Sequence, residues 1–156
     1  SDGILQVDGS IVASIVTATG SGTLGGTGTV FRVVLNSGGH LAPGSGGVGT
    51  LTITNGLTLN AGAALDIELG TTNDLVRVTG GTLAGIGAGT VTVNLSAAPG
   101  FTRRTCTLMD WTGAAATDVD ASDFEFGAQI PNSPFRFIVV GSQLRIETGG
   151  TIVIVK

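Results

Sequence analysis

Between Gly38 and Gly81 the chain reads GGHLAPGSGGVGTLTITNGLTLNAGAALDIELGTTNDLVRVTGG. Leu51-Thr52-Ile53-Thr54, Leu57-Thr58-Leu59-Asn60 and Leu65-Asp66-Ile67-Glu68-Leu69 each alternate apolar and polar. A period of two places one face of each strand in a core and the other in water. Asn55-Gly56, Ala61-Gly62 and Gly70-Thr71-Thr72-Asn73 separate these runs. Glycine and asparagine tolerate the positive φ that corners and turns require. Nothing in the stretch keeps a helical period. The chain is therefore all-β, built from short strands and frequent corners.

The same grammar extends outward. Ile4 to Val7 ends at the turn signal Asp8-Gly9, and Ile11 to Thr17 and Thr29 to Leu35 are rich in β-branched residues. Leu75 to Val78, Thr82-Leu83 and Thr90 to Leu95 follow. Strands of about three to seven residues separated by turns of about two to six suit a coiled solenoid, each strand one side of a rung. Isolated hairpins could produce the same spacing. The glycine-rich run Gly20 to Gly28 reads either as a flexible linker or as tight corners with Leu24 inward. The corner reading is favoured, because a strand resumes at Thr29.

After Pro99 the style changes. Residues 101–156 hold five of the six Phe and the only Trp, Met and Cys. Arg104 to Asp110, Phe124 to Phe126 and a hairpin of Phe135 to Val140 with Gln143 to Glu147 are expected strands. Bulky residues here suit a cap over the open apolar end of a solenoid. The expected organisation is an N-terminal strand segment over 1–19, solenoid rungs over 20–98, a capping β region over 99–147 and a C-terminal strand over 148–156.

Composition narrows the function. Charged residues make up 12% of the 156, against a usual share near 25%. Low charge removes the usual protection against strand-edge association, so assembly is favoured. Net charge is −4 and seven scattered basic residues form no phosphate-binding stripe, which argues against nucleic acid. No apolar run approaches the ~18 residues of a membrane helix, so no membrane insertion is expected. One cysteine excludes an internal disulfide.

The run Gly38-Gly39-His40-Leu41-Ala42-Pro43-Gly44, then Gly49-Thr50-Leu51-Thr52-Ile53, resembles the G-G-x-L-x-P-G … G-T-L-x-I signature of autotransporter-associated β-strand repeats. Leu57 to Leu69 and Asn73 to Gly80 are similar to the elements that follow it, and Thr105 to Thr112 with Phe124 and Leu144 is similar to the terminal part of many such surface proteins. The resemblance runs over about residues 20–147. It implies a right-handed parallel β-helix, or β-solenoid, with a Phe/Trp-rich C-terminal capping region. It further implies export to the bacterial cell surface or beyond, and no enzymatic activity. Family members usually carry several repeats with a membrane barrel or sorting tail. With one repeat here, those parts were removed or the short chain is a complete building block. A leader removed on export is expected.

Polar residues that could carry chemistry each have a plainer reading. Asp66 and Glu68 would share a strand face roughly 7 Å apart, as a glycosidase carboxylate pair can. Two solvated residues opposite Leu65, Ile67 and Leu69 are the simpler account. Asp74 reads as a turn cap. Asp118, Asp120 and Asp123 offer oxygen ligands of the kind Ca²⁺ takes, but lack the glycine and closing Glu of an EF-hand, so they read as a solvated acidic loop. His40 reads as a lone corner histidine and Cys106 as a buried structural thiol. Trp111, Phe124 and Phe126 read as cap core before sugar platform. No catalytic residue, metal ligand or cofactor is expected.

The two ends carry the functional expectation. Ile152-Val153-Ile154-Val155 is an uncharged β-former, and Ile4, Val7, Ile11 and Val12 have the same character. Strand addition between them would link copies head to tail, and a contact of that kind propagates. The expected function is a non-enzymatic extracellular structural protein, the protomer of a self-assembling filament joined by terminal strands. Its partners are copies of itself, with surface glycans as a further candidate. The alternatives are a fragment of a larger autotransporter-like adhesin passenger and a polysaccharide-active β-helix enzyme.

Overall fold

A computed structural model describes residues 3–84 and 86–148. The chain makes successive passes through two curled sheets. The first pass contains β1 (Ile4–Gln6) and β2 (Ser10–Ala18), the second β3 (Thr23–Gly26) and β4 (Thr29–Leu35). The third contains β5 (His40–Pro43), β6 (Thr50–Ile53) and β7 (Leu57–Leu59), the fourth β8 (Ala64–Leu69), β9 (Leu75–Val78) and β10 (Thr82–Ala84). The fifth contains β11 (Val91–Ala97), β12 (Cys106–Asp110) and β13 (Ala115–Ala116). β14 (Phe124–Phe126), β15 (Phe135–Val140) and β16 (Gln143–Thr148) close the described chain. No α-helix occurs among the described residues, and no helix there is long and apolar enough to cross a membrane.

One sheet has the order β1-β3-β5-β8-β11-β14, and every pair in it is parallel. The other, ten-stranded, has the order β13-β10-β7-β4-β6-β9-β12-β16-β15, with β2 also on β4. β4 serves two neighbours. Thr29 and Val30 pair with β6, and Val33 to Leu35 pair with β7. The sheet bends there. Antiparallel strand pairs occur at β12–β16 and β15–β16. The isolated-hairpin alternative is thus set aside for residues 4–126, where strands pair with strands one pass away. Asp8-Gly9 does not fold β1 onto β2; it sends them into different sheets.

Register aligns like with like. Leu24, Leu41, Leu65, Val93 and Phe126 stand side by side in the first sheet. Val30, Ile53 and Val78 do so in the second, as do Leu51, Val76 and Met109. Leu24 through Val93 and both second-sheet rows are fully buried. The alternation read from the sequence holds across the organising stretch: Leu51, Ile53, Leu57, Leu59, Leu65, Ile67 and Leu69 are core, and the residues between them face outward. Burying each such side chain contributes about 1.5–3 kcal/mol.

The run Gly20 to Gly28 forms β3 and its corners, with Leu24 in the core. Gly28 shows why bulk is excluded. Its amide donates to the Val7 carbonyl at 2.8 Å, and an added Cβ would lie 2.1 Å from the Gly9 carbonyl oxygen. The passes stack too closely at this corner for a side chain.

Parallel pairing continues beyond residue 98, because β12 joins β9 and β13 joins β10. β13 lies in a stretch with no strand signal, two alanines placed by pairing alone. The β15–β16 hairpin then covers one end of the second sheet. Phe137 packs on Phe126, with centroids 4.0 Å apart and rings stacked, and against Phe124 at 5.9 Å. Trp111 is buried in the core.

Gly28→Ala is expected to cost about 3 kcal/mol, through overpacking against the Gly9 carbonyl. Gly47→Ala, where a Cβ meets nothing within 4 Å, should change stability by under ~0.5 kcal/mol. Urea unfolding of both variants beside the unaltered chain measures the contrast.

Candidate functional site

The two strands of the first pass are the outermost members of their sheets. β1 pairs with β3 and β2 with β4, and among the described residues neither has a strand on its other side. An outermost strand presents a row of unpaired N–H and C=O groups. Proteins usually blunt such edges with charge, but neither Ile4–Gln6 nor Ser10–Ala18 contains a charged residue. Large apolar side chains stand in solvent instead: Ile4 is 76% exposed, Val12 68% and Ile15 56%, with Leu5 also exposed. Between the two strands lies a groove of about 290 Å³, whose lining includes Ile4, Leu5, Val16, Ala18 and Leu24.

The assembly residues expected from sequence divide. Ile4 and Val12 face solvent on this edge. Ile11 is half-buried and packs against the core, while Val7 is a core residue beneath the edge. Ile152, Val153, Ile154 and Val155 lie outside the described residues. Leu5 and Ile15 belong to the exposed surface without having been singled out. The reason is a register shift in β2. Ile11 pairs with Val30, yet the next partners are Ile15 and Arg32. The extra residues reverse Ile15 and Val16, so that Ile15 points outward and Val16 inward, whereas alternation from Ile11 alone would place them the other way round; Val12 points outward in either case.

The corner below the edge is fixed by Asp8. Its Oδ1 accepts the Thr27 amide at 3.0 Å, and its Oδ2 accepts Gln6 Nε2 at 2.9 Å and Ser45 Oγ at 3.1 Å. The Gln6 donor, then the Thr27 amide, hold the Asp8 carboxyl below its ordinary value. One carboxylate thereby ties the first three passes together.

A polar row crosses the outer face of the first sheet. His40 Nδ1 lies 2.8 Å from Asp66 Oδ2, Asn94 Nδ2 donates to Asp66 Oδ1 at 2.8 Å, and the Ala128 amide donates to Asn94 Oδ1 at 2.9 Å. Sequence reading left His40 without an acidic partner, because Asp66 is one pass of chain away. A shallow cleft of about 200 Å³ adjoins the row, with Glu68 and Ser96 on its wall. The carboxylate oxygens of Asp66 already accept from the row itself.

Asp74 caps a turn, as its sequence reading has it, but does so from inside the fold. It is buried, and its carboxylate accepts the Gly49 amide at 2.7 Å and the Glu68 amide at 2.8 Å. It closes the corner between β8 and β9 and grips the pass before. Burial pushes its carboxyl up to about 6, against the pull of the two amide donors.

Among the described residues no group of three His, Cys, Asp or Glu is placed to hold a metal ion. In the acidic loop, Asp123 Oδ2 accepts the Asp120 amide at 2.8 Å, capping the short 3₁₀ turn Ala121–Asp123. Cys106 is buried, and burial raises its thiol above the ordinary value. A thiol in that state is a poor nucleophile.

No family model matches the chain. Over 122 residues, 72% of this chain, it is 37% identical to the adhesin BmaC autotransporter of Brucella suis biovar 1 (strain 1330). The chain spans 3% of that protein's length.

The buried carboxyl at the β8–β9 corner gives a signed pH effect. A folded value near 6 lies above the ordinary 3.8, so its contribution to stability is complete below about 3.8 and is lost as pH rises through about 6. Asp74→Asn removes that titration and leaves one of the two amides without an acceptor. The variant should be less stable by about 2 kcal/mol at pH 7. Its deficit should widen as pH falls from 7 to 4, read by denaturant unfolding at each pH.

Proposed function

We propose that this chain is a non-enzymatic structural unit of an extracellular bacterial surface assembly, folded as a right-handed parallel β-solenoid with a Phe/Trp-rich cap. It acts as the protomer of a filament whose copies join end to end. The observation that carries this reading is the uncharged edge of β1 and β2, with Ile4, Leu5, Val12 and Ile15 in solvent. The parallel, in-register passes support the solenoid, and a right-handed crossover is the rule for parallel strands in one sheet. The likeness to an autotransporter adhesin supports a place at the cell surface.

The two ends of the stack differ, so a contact between one end and the other is heterologous and repeats without limit unless it closes a ring. Backbone hydrogen bonds would supply affinity along the added edge, and exposed apolar rows would supply the buried area. The engaged state of the His40, Asp66 and Asn94 side chains supports a structural role for the outer face of the first sheet.

A second reading is favoured by the likeness itself. The chain matches a small part of a much longer adhesin, and in a passenger of that kind further passes would cover the β1–β2 edge within one polypeptide. The endogenous protein would then be far heavier than 15.4 kDa on a denaturing gel.

Sedimentation and negative-stain electron microscopy of the purified chain over a concentration series test the filament. Polymers are expected from the unaltered chain, and Val12→Lys/Ile15→Lys should reduce polymer mass at least tenfold with an unchanged circular dichroism spectrum. Monomer at every concentration would overturn the proposal and leave the passenger reading.

A further inference from the structure

Resting on the filament reading above, we infer that the groove between β1 and β2 receives residues 151–155 of a second copy as an added strand.

Three observations lead there. The first is chemical match. Thr151-Ile152-Val153-Ile154-Val155 is uncharged and β-branched throughout, as a strand against an uncharged apolar edge must be. The groove that would take its inward side chains is walled by Ile4, Leu5, Val16, Ala18 and Leu24. An added strand with alternate side chains in such a groove gains both the free backbone groups and apolar burial.

The second is reach. In the second sheet β2 and β16 are separated along β4, β6, β9 and β12. At about 4.8 Å per strand, that places the two roughly 24 Å apart. Described chain ends at Thr148 in β16, and residues 149 and 150 span roughly 7 Å at full extension. Residues 151–155 therefore cannot lie along the β1–β2 edge of their own chain. A second copy, stacked with its β16 end on this edge, brings them to it directly.

The third is charge at the competing edges. β14 carries Glu125, and β15 carries Arg136, which pairs with Glu147. β13 is two residues long. Charge and short length are the usual means of keeping an outermost strand from pairing. Of these edges, the first-pass edge is long and uncharged.

The test uses full-length chains. Ile152→Asp/Ile154→Asp places charge in the strand and leaves every described residue unaltered. A mixture of Leu5→Cys and Ile154→Cys chains, both carrying Cys106→Ser, is oxidised and run on a non-reducing gel. The expected results are polymers from the unaltered chain, loss of polymers from the aspartate variant with an unchanged circular dichroism spectrum, and a disulfide-linked dimer containing one chain of each kind. Polymers from the aspartate variant equal in mass to those of the unaltered chain would overturn the strand assignment while the filament stands, as would polymers without the mixed dimer. No polymer from the unaltered chain would overturn the filament and this inference with it.

Discussion

Every strand from β1 to β14 depends on a neighbour one pass away. A three- or four-residue strand such as β7 or β10 has too few contacts to persist alone, and a single pass buries little. Stacking in register changes that. Leu24, Leu41, Leu65 and Val93 cover one another in the first sheet, and Leu51, Val76 and Met109 do the same in the second. The same requirement creates a problem at each end of the described residues, where the outermost pass has a strand on one side only. Much of the remaining structure answers that problem.

Corners set how closely the passes approach. At Gly28 a backbone amide meets the Val7 carbonyl, and no side chain fits. At the β8–β9 corner a buried carboxylate serves instead. Asp74 takes the amides of Gly49 and Glu68, donors that bending the chain would otherwise leave buried and unpaired. Asp8 does similar work in solvent, joining Thr27 and Ser45. With charged residues so few, the two carboxylates act as fasteners between passes.

Strand identity and inward face were legible wherever alternation was unbroken. From Leu51 to Leu69 every residue read as core is core, because a period of two survives only if the strand stays in register with both neighbours. Thr29 to Leu35 is a strand over the range read from sequence. Elsewhere, what failed was what local pattern cannot encode. The register shift in β2 exposes Ile15, and it arises from pairing with β4. β13 exists because β10 offers an edge to two alanines. His40 meets Asp66, and Asn94 meets Asp66, only because successive passes bring them together. Asp74 looks like any turn aspartate until the two sheets close over it.

The two ends of the stack are treated in opposite ways, and that asymmetry carries the functional argument. At the β14–β16 end a hairpin turns the direction of pairing, Phe137 packs on Phe126 and Phe124, and Arg136 and Glu147 place charge on the outermost pair. At the β1–β2 end, among the described residues, there is no hairpin, neither strand carries a charge, and large aliphatic side chains face outward. Solvent exposure of this kind works against solubility, so a sequence that keeps Ile4, Val12 and Ile15 there gains something that a lysine would remove. On the reading proposed above, that gain is a partner. A further pass of the same polypeptide and a strand from another copy satisfy the same backbone groups and the same groove. They differ in whether the stack grows by translation of a longer chain or by addition of identical units.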